Sequence, residues 1–141
     1  MSRIYWDSML FVYWFEENPS YASRVDEIRR KMQHRSDTLC TSVFTIGEVL
    51  AGAYQAGAPE RASKTLQLFA PPHVEILPFT SETANRYAQI RGTARVSPAD
   101  AIHLACAAQS GVELFLTNDH RLQKLIVPGI AFIAGMDVNL F

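Results

Sequence analysis

Four acidic residues stand where the chain changes from strand to helix or just inside a helix: Asp7 after Ile4–Trp6, Glu48 within the run from Val43 to Tyr54, Asp100 three residues after Ser97, and Asp119 after Glu113–Thr117. In a parallel sheet, right-handed crossovers bring every strand-to-helix loop to one edge, so Asp7 and Asp119 are expected there together. A helix that leads into a strand begins at that same edge, which adds Asp100. Glu48 lies about six residues into its helix, roughly 9 Å along the axis, with its side chain leaning back toward the helix start. Carboxylates gathered in this way raise one another's pKa unless a cation neutralises them. An all-oxygen set without paired His or Cys suits Mg²⁺ or Mn²⁺. Such an ion polarises a phosphate, lowers the pKa of an attacking water and stabilises the leaving oxygen, so the chemistry indicated is phosphodiester hydrolysis.

Each acid also has an ordinary reading. Asp100 sits at capping-box spacing from Ser97 and favours the helix dipole. Asp7 and Asp119 suit a turn or a cap. Glu48 is the only charged residue between Val43 and Tyr54, opposite the apolar stripe Val43, Ile46, Leu50 and Ala53, and a solvated polar face is open for it. Its neighbours Gly47, Ala51 and Gly52 are small and leave room beside the carboxylate. His103, three residues after Asp100, reads as a helix-packing histidine in preference to one that orients a carboxylate or shuttles a proton. His34, His73 and His120 read as surface residues. Arg86, Arg91 and Arg95 form a basic stretch entering the helix of Asp100, a candidate path for a polyanion or a solvated face. Arg29, Arg30, Lys31 and Arg35 are balanced by Asp26 and Glu27. Tyr13, Trp14, Phe15 and Tyr21 suit either the core or a partner-docking surface.

The elements that must position these residues alternate. Expected strands are Ile4–Trp6, Thr38–Thr41, Val74–Leu77, Glu113–Thr117 and Ile130–Ala134. Expected helices are Ser8–Phe15, Pro19–Gln33 behind Asn18-Pro19, Ser42 to Tyr54 ending near Gly57, Pro59–Phe69 stopped by Pro71-Pro72, Thr80 or Ser81 to Gly92, and Ser97-Pro98 to Ser110 closed by Gly111, with a helical turn at His120–Lys124. Tyr21, Val25, Ile28 and Met32 are expected on the buried side of the second helix. Strands separated by helices imply an α/β fold, three layers with a central, mainly parallel sheet.

The chain has 141 residues, 48% of them hydrophobic and 19% charged, with seven Gly and seven Pro, which suits one globular domain over residues 1–141 and excludes disordered or low-complexity classes. Thirteen basic against 14 acidic residues, a formal charge of −1, exclude a global field that would hold nucleic acid. Cys40 and Cys106 have no zinc-finger spacing and read as small buried residues. The longest apolar stretch, Met9–Phe15, falls far short of the ~20 residues of a bilayer span, and no signal-peptide pattern is recognised. The expectation is a soluble, cytoplasmic protein with no membrane association.

The pieces IYWDS at Asp7, TSVFTIGEVLAG at Glu48, SPADAIHLACAA at Asp100 and LTNDHRL at Asp119 occur in the order and at the spacings of a known family. Across essentially its whole length the chain resembles the PIN-domain ribonucleases, especially the VapC-like toxins of toxin–antitoxin pairs. The resemblance implies a metal-dependent endoribonuclease acting on RNA, using Mg²⁺ or Mn²⁺ held by Asp7, Glu48, Asp100 and Asp119. It implies supporting polar roles for Ser8, Ser42, Thr117 and Asn118, an antitoxin protein as partner, and a homodimer. Arg91 and Arg95 then become the candidate substrate-binding residues. His120 departs from the pattern, since an arginine is common there in relatives. A noncatalytic domain of the same fold that binds RNA or protein is the rival reading. A dehalogenase-like phosphatase would need a second Asp where Met9 stands, a receiver domain would need an acidic pair where Trp6-Asp7 stands, and no Gly-rich phosphate loop follows the first strand.

Overall fold

The computed structural model describes residues 1–70, 74–137 and 139. In chain order the elements are β1 (Arg3–Trp6), α1 (Ser8–Phe15), α2 (Ala22–Arg35), β2 (Thr38–Ser42), α3 (Val43–Gln55), α4 (Pro59–Leu68), β3 (Glu75–Leu77), α5 (Ser81–Thr93), α6 (Pro98–Ser110), β4 (Leu114–Thr117), a 3₁₀ turn (Leu122–Lys124) and β5 (Phe132–Gly135). The five strands form one sheet in the order β3-β2-β1-β4-β5. Every pairing is parallel, with Tyr5 opposite Cys40 on one side and Phe115 on the other. The expected mainly parallel sheet is therefore parallel throughout.

Period-two alternation divides the strand residues between two cores. Ile4, Trp6, Leu114 and Leu116 face α1 and α2, packing with Leu10, Phe11, Val25, Ile28 and Met32. Tyr5, Cys40 and Phe115 face the other way, against α6 residues from Ala101 to Ala108 and Ile90 of α5. The result is the expected α/β/α sandwich. Cys40 and Cys106 are buried and unpaired by disulfide, as their composition suggested.

Several local expectations need correction. α2 begins at Ala22 because the Asn18 side chain accepts from the backbone N–H of Ser20 and Tyr21, making a turn before the helix. Tyr21 consequently stands outside the buried face, 38% exposed, its ring stacked on Tyr13 with centroids 4.5 Å apart. The buried face of α3 runs through Thr45 and Ala53, with Ile46 and Val49 packed alongside, and Val43 is exposed. Ile46 and Ala53 of the expected stripe lie on this face, but Thr45 takes the place expected for Val43 because hydrogen bonds tie the threonine into the core. The β5 strand starts two residues later than expected, after the turn at Gly129, whose φ of +99° suits glycine. Pro71, Pro72 and His73 lie outside the described residues.

Trp14 and Phe15 pack on the α1–α2 core, and the Arg29 guanidinium lies 5.1 Å from the Trp14 ring centroid. Asp26 pairs with Arg29 and Arg30, and Glu27 with Arg24 and Lys31, as expected, whereas Arg35 pairs with Asp37 beyond the helix end. Among the described residues no helix is long and apolar enough to cross a membrane.

Candidate active site

β1 ends at Trp6, and Asp7 turns the chain into α1. Its backbone N–H donates to the Leu116 carbonyl, and its carboxylate accepts from Ser8 N at 2.7 Å and Thr117 Oγ1 at 2.8 Å. Asp7 is thus the cap of α1 and is also bound to the end of β4. Its side chain is only 13% exposed. Burial raises its pKa above the usual carboxylate value and the Asp100 charge adds to the rise, against the opposing effects of His103, Thr117 and the Ser8 N–H.

Asp100 enters from the first turn of α6. Ser97 Oγ caps the helix by accepting from Asp100 N at 3.1 Å, while the Asp100 carboxylate makes no return bond. Only half of the capping box forms, and among the described residues that carboxylate has no hydrogen-bond partner.

Glu48 reaches the same place from α3. Ser8 Oγ donates to Glu48 Oε1 at 2.6 Å, and His103 Nε2 lies 2.6 Å from that same oxygen. Burial works to raise its pKa, but the bonds from His103 and Ser8 outweigh it and hold the carboxyl below its usual value. Gly47 and Gly52 are exposed, a Cβ at either would meet nothing within 4 Å, and neither glycine lines the cleft that the four acids share.

Asp119 follows β4, with its N–H donating to Thr117 Oγ1. Its carboxylate is turned to Arg121, accepting from the backbone N at 2.9 Å and from the guanidinium at 3.0 and 3.3 Å, which lowers its pKa. Asn118 donates to the Tyr13 hydroxyl at 3.0 Å.

All four acids line one cleft of about 610 Å³ at the carboxyl edge of the sheet, together with Ser8, Tyr13, His103, Asn118, His120 and Arg121. Thr117 supports it from beneath through Asp7. Ser42 does not line it: buried, it caps α3 and its Oγ lies 2.9 Å from the Tyr5 hydroxyl. Arg91 and Arg95 are exposed, at the end of α5 and in the following loop, and neither lines the cleft. Arg86 leaves the expected basic stretch altogether, since it bonds Gln109 and the Pro128 carbonyl and so braces α5 against α6. A slightly larger cavity, about 660 Å³, lies between α2 and the β2–β3 edge. Its acids are already engaged, Asp37 by Arg35 and the Ser2 N–H and Glu75 by Arg3.

Arg121 had no expected role in the cleft, and for His103 packing was the expectation preferred over orienting a carboxylate. Among the described residues Arg121 is the one Arg or Lys lining the cleft, and nothing but proximity to Asp119 marked it. His103 packs as expected, with its side chain 3% exposed, yet its ring also bonds Glu48. Its spacing from Asp100 suggested contact with that residue, whereas the helix turns it toward Glu48 and Asp7 instead.

The donor chemistry fits a hard divalent cation. Asp100 is unpartnered, Glu48 Oε2 has no partner among the described residues, and Asp7 is desolvated beside a like charge. Among the described residues no three His, Cys, Asp or Glu side chains are already gathered into a ligand set. Asp119 would have to leave Arg121 to join one.

An all-parallel three-layer sandwich with acids converging at the carboxyl edge of its sheet defines a PIN-like α/β/α protein. The sequence matches the PIN domain family over residues 4–127, and the chain belongs to that family. It is similar to DNA-bound VapBC from Salmonella typhimurium, at 26% identity over 96% of this chain and 99% of that one, with a TM-score of 0.73. VapBC2 from Rickettsia felis, bound to a promoter DNA fragment, matches at 15% identity over 94% and 98% with a TM-score of 0.70. Mycobacterium tuberculosis VapC20, described as a Sarcin-Ricin loop cleaving toxin, matches at 11% identity over 87% and 96% with a TM-score of 0.67. The latter two bear on the fold alone. No curated protein matches the chain.

Proposed function

We propose that this chain is a single-domain, metal-dependent endoribonuclease and the toxin of a toxin–antitoxin pair. The observation that carries the reading is the meeting of Asp7, Glu48, Asp100 and Asp119, from four separate elements, in one cleft of a PIN-domain chain. A noncatalytic binding domain has no need to bring four carboxylates to one cleft, with Asp7 buried beside the like charge of Asp100.

Asp7 and Asp100 are the residues that would mainly hold Mg²⁺ or Mn²⁺, with Glu48 and Asp119 completing the site. When bound, such an ion supplies charge to the scissile phosphate and lowers the pKa of an attacking water. The chain's own residues position the reactants. Thr117 and the Ser8 N–H fix Asp7, while Ser8 and His103 fix Glu48. Attack by water and not by the ribose 2′-hydroxyl leaves 5′-phosphate and 3′-hydroxyl ends. Arg91 and Arg95 lie outside the cleft and would contact RNA beyond the scissile bond.

The partner reading, a cognate antitoxin, draws on the VapBC complexes to which the chain is similar. A homodimer and a cytoplasmic place of work complete the proposal. The test is cleavage of a panel of structured RNAs with chelator, Mg²⁺ or Mn²⁺, beside an Asp7→Asn control. Cleavage dependent on metal and lost in the control is expected. RNA binding without cleavage under all conditions would instead favour the noncatalytic reading.

A further inference from the structure

His103 sits at the floor of the cleft with a contact on each ring nitrogen. Nε2 lies 2.6 Å from Glu48 Oε1, 3.2 Å from Ser8 Oγ and 3.8 Å from Asp7 Oδ1. Nδ1 lies 2.7 Å from the Tyr5 hydroxyl and 3.4 Å from Thr45 Oγ1. The Phe44 ring stands edge-on to the imidazole at 5.2 Å. Tyr5 is itself fully buried and stacked on Phe115, with ring centroids 5.0 Å apart. The phenol reaches Ser42 Oγ, which caps α3, the helix that carries Glu48.

Counting protons decides the direction of the central bond. An ionised carboxylate oxygen only accepts, and Ser8 has one hydroxyl proton, which it gives to Glu48 Oε1. The imidazole at 2.6 Å from that oxygen must therefore present Nε2–H. Two donors thus converge on Oε1, and Oε2 keeps no protein partner among the described residues. A carboxylate free to rotate would exchange its two oxygens. This one is held through a single oxygen, and its side chain, 33% exposed, lines the cleft.

We propose that His103, held in register by Tyr5, is a positioning residue that clamps Glu48 Oε1 so that Oε2 faces the reacting groups. The proposal rests on the nuclease reading for its consequence and on the hydrogen-bond geometry for its existence. A histidine present only for packing needs no such pair of partners. Supports of this kind behind a ligand carboxylate are worth about 10- to 100-fold in metal affinity or activity when removed.

The experiment uses the full chain at one fixed pH. A long-range ¹H–¹⁵N spectrum reads whether Nε2 carries a proton, which requires neither RNA nor metal. His103→Leu removes the clamp, His103→Gln restores an N–H donor near Nε2, and Tyr5→Phe deletes one hydroxyl outside the cleft. The expected result is a protonated Nε2 and a kcat lowered about 10- to 100-fold in His103→Leu with KM within about threefold, a loss partly recovered by Gln. Mn²⁺ affinity without RNA should fall in parallel. Tyr5→Phe should lower kcat by a smaller factor while the fold persists by circular dichroism. An unprotonated, pyridine-type Nε2 overturns the clamp, as does a folded His103→Leu with wild-type kcat and Mn²⁺ affinity. If His103→Leu does not fold, the Nε2 spectrum and Tyr5→Phe decide, and unchanged kcat in a folded Tyr5→Phe overturns the part assigned to Tyr5. Wild-type protein that neither binds Mn²⁺ nor cleaves RNA sinks the nuclease reading, and the Nε2 spectrum then still judges the clamp.

Discussion

Replacing Asp7 with Asn separates charge from shape at the centre of the cleft. Asn is as good a helix cap as Asp and can still accept from the Ser8 N–H, so the start of α1 should be preserved. The charge is what changes. In the folded protein the Asp7 pKa lies above its usual value because the side chain is stripped of water and faces Asp100, so the unfolded chain loses this proton at lower pH than the folded one. Stability without metal therefore falls as pH rises through that interval, and above it the ionised Asp7 is a standing cost. Asp7→Asn should melt higher than wild type in chelator at pH 7 and the same below the interval. With metal the order reverses. A ligand at one hundred times its Kd adds about 2.7 kcal/mol. With an unfolding entropy of about 2.1 cal/mol/K per residue, the 141-residue chain should gain about 9 °C in Tm. Asp7→Asn should lose most of that gain. Differential scanning calorimetry in chelator, Mn²⁺ and sodium at matched ionic strength reads all three effects, since sodium reproduces simple screening. Equal Tm for both proteins in chelator and equal metal-induced gains would refute the reasoning.

Asp100→Asn should abolish RNA cleavage with an unchanged circular dichroism spectrum, and full activity in the purified variant would remove Asp100 from the site. Glu48→Gln should be severely impaired in the same assay, whereas a wild-type rate would make Glu48 a helix-surface residue. Arg121→Gln should tighten Mn²⁺ binding in the absence of RNA, because Asp119 no longer has a guanidinium to face; calorimetry giving unchanged or weaker binding would mean that Asp119 takes no part. Reversing Arg91 and Arg95 to Glu should weaken RNA binding and flatten its salt dependence while sparing Mn²⁺ binding, because fewer counterions are released per complex. An unaltered salt slope would make both arginines ordinary surface.

Much of the candidate site's convergence was legible in the chain because strand-to-helix junctions are local events. Asp7 after IYW, Asp119 after LFLT and Asp100 behind Ser97-Pro98 are each marked by neighbours within a few residues, and the crossover rule carries such junctions to one edge. The period-two division of Ile4 and Trp6 from Tyr5 is equally local. The strand order β3-β2-β1-β4-β5 was decided by tertiary packing, since no local pattern says which parallel strand neighbours which. Packing also determined the face of α3: Thr45 is buried because Thr41, Ser42 and Tyr5 offer it hydroxyl partners, and hydropathy alone does not register that compensation. Arg86 was separated from Arg91 and Arg95 in the same way, by Gln109 and a carbonyl distant in sequence. His103 draws these cases together. Its place on an apolar helix face was readable from spacing, but its bonds to Tyr5 and Glu48 join residues 98 and 55 positions away, and a contact across that separation exists only once the sheet and its flanking helices have closed around it.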